Sequence, residues 1–270
     1  MSLSNTLQRF TNVQKRLPAF YEYVAMFTRG QKSILFNKRN HIFRGLPVKV
    51  IQDIQLDWEA GYSSTPLKHC EQIFEGLLDV TGKSREYFRN CIFTDLTACV
   101  GASAMGFATH FKCINAIEYD ALRYSFLKHN IYNVFHGKCN NIVVYNGDCM
   151  DVVRRTRQHV MFLDPPWGGT HYNQAESLSL TLDSKPLHEI CLQLSPFASY
   201  LLVKVPYNFD FDNFTRRLLM AQGPRGGTIE IRGRIPVTNT GMVCEKKNCK
   251  HASSKRVIFF VLVYKCLSNV

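Results

Sequence analysis

The sequence predicts a doubly wound α/β fold, a mostly parallel sheet with helices on both faces. Three observations predict it. From about residue 67 onward, apolar runs of strand length alternate with helix-like segments, and uninterrupted apolar strands mark a sheet buried on both sides. Several runs end in an acidic residue and a turn of small residues or proline, the punctuation of a strand entering a helix. The last two runs are joined by "TNTGMVCEKKNCKHASSK", which has no clear helical pattern. Parallel neighbours need a crossover, so this pair is expected to be antiparallel.

In chain order, residues 1–60 contain "NKRN" and lack the alternation, and they are expected to form a basic N-terminal extension that binds RNA. The main domain is expected over 61–270. Its predicted strands are "CIFTDLTA" (91–98), followed by a small-residue helix from Ser103, and "KCINAIEY" (112–119), followed by the helix "DALRYSFLKHNIY". Then come "NIVVYNGD" (141–148), "HVMFLDPP" (159–166), "SYLLVKVP" (199–206), "GTIEIRGRIPV" (227–237) and "RVIFFVLVYKC" (256–266).

A chain of 270 residues that is 46% hydrophobic can bury one full core. The longest apolar run, residues 257–264, is too short to span a bilayer, and "MSLSNTLQRF" lacks the build of a signal peptide. The reading therefore expects an intracellular protein with no membrane partner. Most of the ten cysteines, including Cys91, Cys113, Cys149, Cys191 and Cys266, sit inside apolar segments and read as small buried hydrophobes. Cys244, Cys249 and His251 match no standard zinc spacing, so no metal is expected.

The net charge of +12 is unevenly placed. Residues 1–50 carry nine Lys/Arg against Glu22 alone, and residues 215–256 carry ten against Glu230 and Glu245. The middle, 51–214, holds thirteen against eighteen acids. Two basic flanks around an acidic centre suit a polyanion gripped beside a site that needs carboxylates.

Those carboxylates stand at strand ends. Asp95 leads into "LTACVGASAMG", whose small residues, Gly101 among them, let backbone approach a ligand. Glu118, twenty-three residues further on, is placed to accept the hydroxyls of a ribose, with Asp120 as the cap of the next helix. Asp148 ends the third strand, where a carboxylate can accept from an adenine amine, and Asp164 ends the fourth. Four acids in this arrangement line one crevice.

"DPPWGG" (164–169) is the most specific signal. An exocyclic amine on a nucleobase is a poor nucleophile, because its lone pair is delocalised into the ring. A carboxylate at Asp164 beside the carbonyl of Pro165 supplies two fixed acceptors for the amine hydrogens. Trp167 supplies a face on which the base stacks, and Gly168 and Gly169 are read as clearance around it.

Asp/Asn/Ser-Pro-Pro-aromatic after such a nucleotide site resembles amino-methyltransferases that use S-adenosylmethionine. With "DIQLDWEAGYSSTP" (53–66) and "PYNFD" (206–210), "PPWGG" resembles the trimethylguanosine synthases more narrowly. The resemblance implies a Rossmann-like class I methyltransferase fold with seven strands, the last antiparallel. It implies that Thr65 and Pro66 border the methionine part of the cofactor, with Asp164 alongside. Asp95 and Gly101 would border its amino-acid moiety, Glu118 its ribose and Asp148 its adenine. Trp167, Gly168, Tyr172 and Asn208 would bind a 7-methylguanosine cap, with capped RNA as partner and a monomer as the working form. For Thr65-Pro66 the residues also allow a helix cap with proline in the first turn. This sequence departs from the family at Asp164, where Ser is common, at Cys99 and Ala102, where Gly is common, and at Gly61-Tyr62, where Trp-Phe is common. Asp164 keeps an adenine amino-methyltransferase open as an alternative, and Cys99 and Ala102 keep open a non-catalytic RNA-binding protein.

Overall fold

The computed structural model describes residues 29–135, 140–169, 171–222, 229–238 and 257–267. All seven predicted strands form: β1 (Ile92–Asp95), β2 (Cys113–Glu118), β3 (Ile142–Asn146), β4 (Val160–Leu163), β7 (Tyr200–Pro206), β8 (Ile229–Thr238) and β9 (Val257–Cys266). They make one sheet in the order β3-β2-β1-β4-β7-β9-β8. The pairs among β1, β2, β3, β4 and β7 are parallel, and β9 runs antiparallel to both its neighbours. Two two-residue strands that the sequence pattern did not predict, β5 (Thr181–Leu182) and β6 (Lys185–Pro186), pair as a separate hairpin.

The helices are α1 (Arg29–Ile42), α2 (Val48–Asp53), α3 (Ala60–Ser63), α4 (Leu67–Thr81), α5 (Arg85–Arg89), α6 (Ala102–Phe107), α7 (Ala121–His129), α8 (Cys149–Val152), α9 (Leu187–Leu194) and α10 (Phe211–Gln222). Successive strand residues point to opposite faces. Phe162, Leu202 and Val261 pack into one core with Phe74 of α4 and Phe107 of α6. Met161, Leu163, Leu201 and Val203 pack into a second core with Cys191 of α9 and Leu218 of α10. Both faces are covered, which is why the strands read as unbroken apolar runs.

The described part of the expected extension belongs to the first core. Leu35, Ile42, Phe43, Ile51 and Ile54 are buried in the same cluster as Phe93 and Phe162. The stretch after them is clamped at the carboxyl end of the sheet. The Asn130 side chain, wholly buried at the start of a π turn (Asn130–Val134), donates to Gln55 O at 2.8 Å and Val100 O at 2.9 Å and accepts from Gln55 N at 2.8 Å. Arg123 of α7 pairs with Asp57 at 3.1 Å and with Glu59. Residues 53–66 thus lie against the loops that follow β1 and β2.

Candidate active site

The strand register assembles the site. Leu163 stands opposite Val203 in the parallel β4–β7 pair, so Asp164 and Lys204, one step further on, are neighbours. Both share side parity with Phe162 and Leu202, so both face α4. Lys204 Nζ donates to Asp164 Oδ2 at 2.6 Å and to Thr65 Oγ1 at 2.9 Å, and the Thr65 hydroxyl donates to the same Oδ2 at 3.1 Å. The Asp164 backbone is fixed as well. Its N–H donates to Thr97 Oγ1 and its carbonyl accepts from that hydroxyl, both at 3.1 Å. Burial pushes the Asp164 carboxyl up, and Lys204 and Thr65 act against that rise.

One expectation changes here. Thr65 does not cap a helix: Pro66 occupies the N-cap of α4 with no side-chain bond, and the Thr65 hydroxyl turns to Asp164. At Asp164, Oδ2 already accepts from a lysine and a threonine. Oδ1 remains as the acceptor.

Trp167 is half-buried. Its ring meets Tyr172 edge-on at 5.0 Å, lies 6.3 Å from Phe259 and has Lys204 Nζ 4.9 Å from its centre. Gly168 and Gly169 adopt φ of +88° and +83°, and a Cβ on either would touch nothing within 4 Å. They serve a left-handed backbone turn, which a side chain strains, and not clearance around the ring. Asn208 donates to Tyr172 O at 3.0 Å and to Ala175 O at 2.7 Å. It therefore pins the segment that carries Tyr172 against the Trp167 ring.

On the cofactor side, Asp95 is not in an open crevice. It is wholly buried, accepts from the Ser103 hydroxyl and from Thr97 N at 3.3 Å, and burial raises it to about 7 against those bonds. Its structural role is to hold the loop between β1 and α6. Glu118 accepts from Cys99 N and from Asp120 N, both at 2.8 Å, and burial pushes its carboxyl up. Asp120 caps α7 as expected, accepting from Leu122 N and Arg123 N. Gly101 has φ +94°, and a Cβ there would lie 2.8 Å from Leu127 Cδ1. Cys99 adopts φ +52°, a conformation that favours glycine, with Sγ 3.8 Å from Ser64 Oγ and 3.9 Å from Ser63 Oγ. The exposed Asp148 caps α8 through Met150 N at 2.8 Å. Asn146 and Gly147 beside it bond to Glu118 O.

The residues fit S-adenosylmethionine. Each Glu118 oxygen accepts one backbone N–H and keeps a lone pair for a diol, and Cys99 links Glu118 to Ser64, the neighbour of the Thr65 that bonds Asp164. Sequence reasoning missed two groups. Lys204 had a signal, a single lysine inside the apolar run "LLVKVP", since a cation on a strand buried on both faces needs an acid beside it. His69 had none. It is 3% exposed, neither ring nitrogen has a partner among the described residues, its ring meets Phe259 edge-on at 5.5 Å, and burial lowers it to about 3, with Lys68 and Lys204 adding to the effect. Cys244, Cys249 and His251 lie outside the described residues.

A sheet of this order with β9 inserted antiparallel, and acids at the ends of β1, β2 and β4, is the arrangement of the class I methyltransferase fold, a fold family that uses S-adenosylmethionine. A family model described as RNA cap guanine-N2 methyltransferase matches residues 90–253, and the chain belongs to that family. The uncharacterized protein L320 of Acanthamoeba polyphaga mimivirus is 33% identical over 135 residues, 48% of this chain and 52% of that protein. The chain thus spans about half the length of that relative. The trimethylguanosine synthase of Schizosaccharomyces pombe is 24% identical over 185 residues, 65% of this chain and 70% of that protein. Among solved structures, the magnesium protoporphyrin IX methyltransferase of Synechocystis PCC 6803 with bound S-adenosylmethionine has a TM-score of 0.48 at 10% identity, covering 86% of this chain and 90% of that one. An rRNA methylase of Streptococcus thermophilus has a TM-score of 0.42 at 9% identity, covering 72% and 96%.

Proposed function

We propose that this protein transfers a methyl group from S-adenosylmethionine to the exocyclic 2-amine of a 7-methylguanosine RNA cap. The observation that carries the proposal is the Asp164 carboxylate, tied through one oxygen only, beside the half-buried Trp167 ring at the carboxyl end of β4. When bound, S-adenosylmethionine supplies an electrophilic methyl group from its sulfonium, which leaves as a thioether. The chain's own residues present the acceptor to it. Trp167 stacks the base, worth about 1–3 kcal/mol for a base on an aromatic face, and the cationic ring of 7-methylguanine favours an electron-rich indole. Asp164 Oδ1 and the Pro165 carbonyl accept the two amine hydrogens, so the nitrogen lone pair is aimed rather than spread into the ring. As the new N–C bond forms, positive charge grows on that nitrogen, the carboxylate stabilises it, and Asp164 Oδ1 accepts the proton that the nitrogen then loses.

The basic segment 239–256 supports an RNA acceptor. It carries five Lys/Arg against Glu245, and the residues at its two ends, Thr238 and Val257, are paired near Phe259 and Pro206, at the carboxyl end of β7. A stretch of that charge suits a phosphate chain.

Asp164 favours a second reading, in which the acceptor is an adenine amine flipped onto Trp167. Incubation with S-adenosylmethionine and either a 7-methylguanosine-capped dinucleotide or an adenine-containing oligonucleotide, followed by mass analysis, decides between them. A product about 14 Da heavier from the cap alone is expected by simple exchange of hydrogen for methyl. Methylation of the oligonucleotide alone would replace the cap reading. Absence of S-adenosylmethionine binding by calorimetry would leave a non-catalytic RNA-binding protein.

A further inference from the structure

We infer that Lys204 is a positioning residue of the methyl-transfer site: it is the fixed counter-charge of Asp164, and it ties the cofactor-side Thr65 to the acceptor-side Trp167. The inference rests on the function proposed above. Its grounds are geometric. Lys204 is 5% exposed on a strand otherwise filled by Leu201, Leu202, Val203 and Val205, a place where a lone ammonium is costly unless it is paired. Its Nζ lies 2.6 Å from Asp164, 2.9 Å from Thr65, and 4.9 and 4.8 Å from the ring centres of Trp167 and Phe259. One side chain therefore touches the acid, the hydroxyl and the ring that the reaction needs held together.

The consequence for catalysis is orientation. With Oδ2 engaged by Lys204 and Thr65, the Asp164 carboxylate cannot rotate freely, and a single oxygen is left toward the acceptor. The consequence for charge follows from what surrounds Asp164. Burial disfavours its ionised form, and the buried Asp95 on β1, itself raised in part by the charges of Asp164 and Glu118, adds no compensating charge. Lys204 on β7 is the cation that opposes that burial, with the Thr65 hydroxyl beside it, while His69 on α4, lowered by burial and by Lys68, stays neutral beside Lys204. Without Lys204, the protonated form of Asp164 is favoured, and a neutral acid is a weaker acceptor for the amine.

The test compares wild type with Lys204→Met, Lys204→Arg, Asp164→Ser and the Asp164→Ser/Lys204→Met pair. Melting temperature and cofactor affinity are measured, with kcat and KM across pH on the methyl acceptor that wild type uses. Lys204→Met is expected to lower kcat about 100-fold, the scale of a misplaced catalytic group, and to leave KM for the acceptor within about threefold by the rule for interactions realised in the transition state. It should also move the acidic limb of the kcat profile upward by about one pH unit or more, the size of a lost opposite charge. Lys204→Arg should restore part of kcat and most of the shift. A hydroxyl at 164 needs no counter-ion, so the double variant should melt above Lys204→Met and show no acidic limb from this group. Lys204→Met with an unchanged kcat and pH profile would overturn the inference, as would melting shifts that simply add in the double variant. If wild type transfers no methyl group to any acceptor, the proposed function fails, and the melting cycle still reports whether the two residues are coupled.

Discussion

At the scale of single residues, the site combines groups that the fold leaves poorly satisfied. His69 is the sharpest case, a buried imidazole whose two nitrogens have no partner among the described residues. Its folded pKa, about 3, lies below the ordinary value of 6.5, so the unfolded chain binds more protons between those values. Stability is then lost as pH falls through that window. A phenyl ring would keep the edge contact with Phe259 and remove two buried polar atoms, each costing about 1–3 kcal/mol when unpaired. His69→Phe is expected to melt no lower than wild type at pH 8 and clearly higher at pH 5, and a gap that does not widen on acidification would contradict this. Trp167 has a mixed role, since it packs against both cores and also offers a face. Trp167→Ala should weaken binding of a cap analogue by about 1–3 kcal/mol with some loss of melting temperature, and S-adenosylmethionine should bind nearly as before. Loss of both ligands in parallel with melting would make the ring purely structural.

At the scale of elements, α4 is the lever of the site. It carries His69, begins just after Thr65 and Pro66, and is held from two sides. Gly106 of α6 approaches it so closely that a Cβ there would lie 2.5 Å from Cys70 Sγ, and a Cβ on Gly76 would overlap Ile235 of β8. Overpacking a tight contact costs about 1–3 kcal/mol. Gly106→Ala is therefore expected to lower the melting temperature and to weaken S-adenosylmethionine binding, because α4 and the Thr65 hydroxyl move together. Adding Cys70→Gly removes both atoms that the new methyl group would meet, Sγ at 2.5 Å and Cβ at 2.7 Å, and should recover part of the affinity. Isothermal titration and thermal melts of the two variants check this, and a Gly106→Ala protein with normal affinity would separate α4 from the cofactor site.

At the scale of the whole molecule, charge and core divide the chain differently. Leu35, Ile42 and Phe43 lie in the main core, so truncating residues 1–50 would remove buried side chains together with positive charge. The cleaner test of phosphate grip is to replace Lys246, Lys247, Lys250, Lys255 and Arg256 with Gln. Each lost phosphate contact should reduce the slope of log affinity against log salt by about 0.7 for a single-stranded RNA. Fluorescence titration of a capped oligonucleotide at several salt concentrations measures the slope, and equal slopes for variant and wild type would remove this segment from the RNA path.

The sheet was legible because its signal is local. "CIFTDLTA", "KCINAIEY" and "HVMFLDPP" each state in a few residues that a strand is buried on both faces and ends in an acid, and the helix cap at Asp120 follows from the same local chemistry. Residue type alone also marked Asp164 and Trp167. The partners of those residues were set by tertiary structure. Thr65 reads locally as the start of a helix, yet its hydroxyl bonds an acid ninety-nine positions away, and Asp95 reads as a crevice acid, yet it is closed over by Ser103. Lys204 meets Asp164 only because β4 and β7 lie side by side in a particular parallel register. A chain fixes by itself what each segment prefers and which face it buries, since those depend on neighbours in sequence. Which carboxylate stays ionised, and which oxygen is left for an acceptor, depends on desolvation and on charges brought together from distant strands, and only the packed sheet decides that.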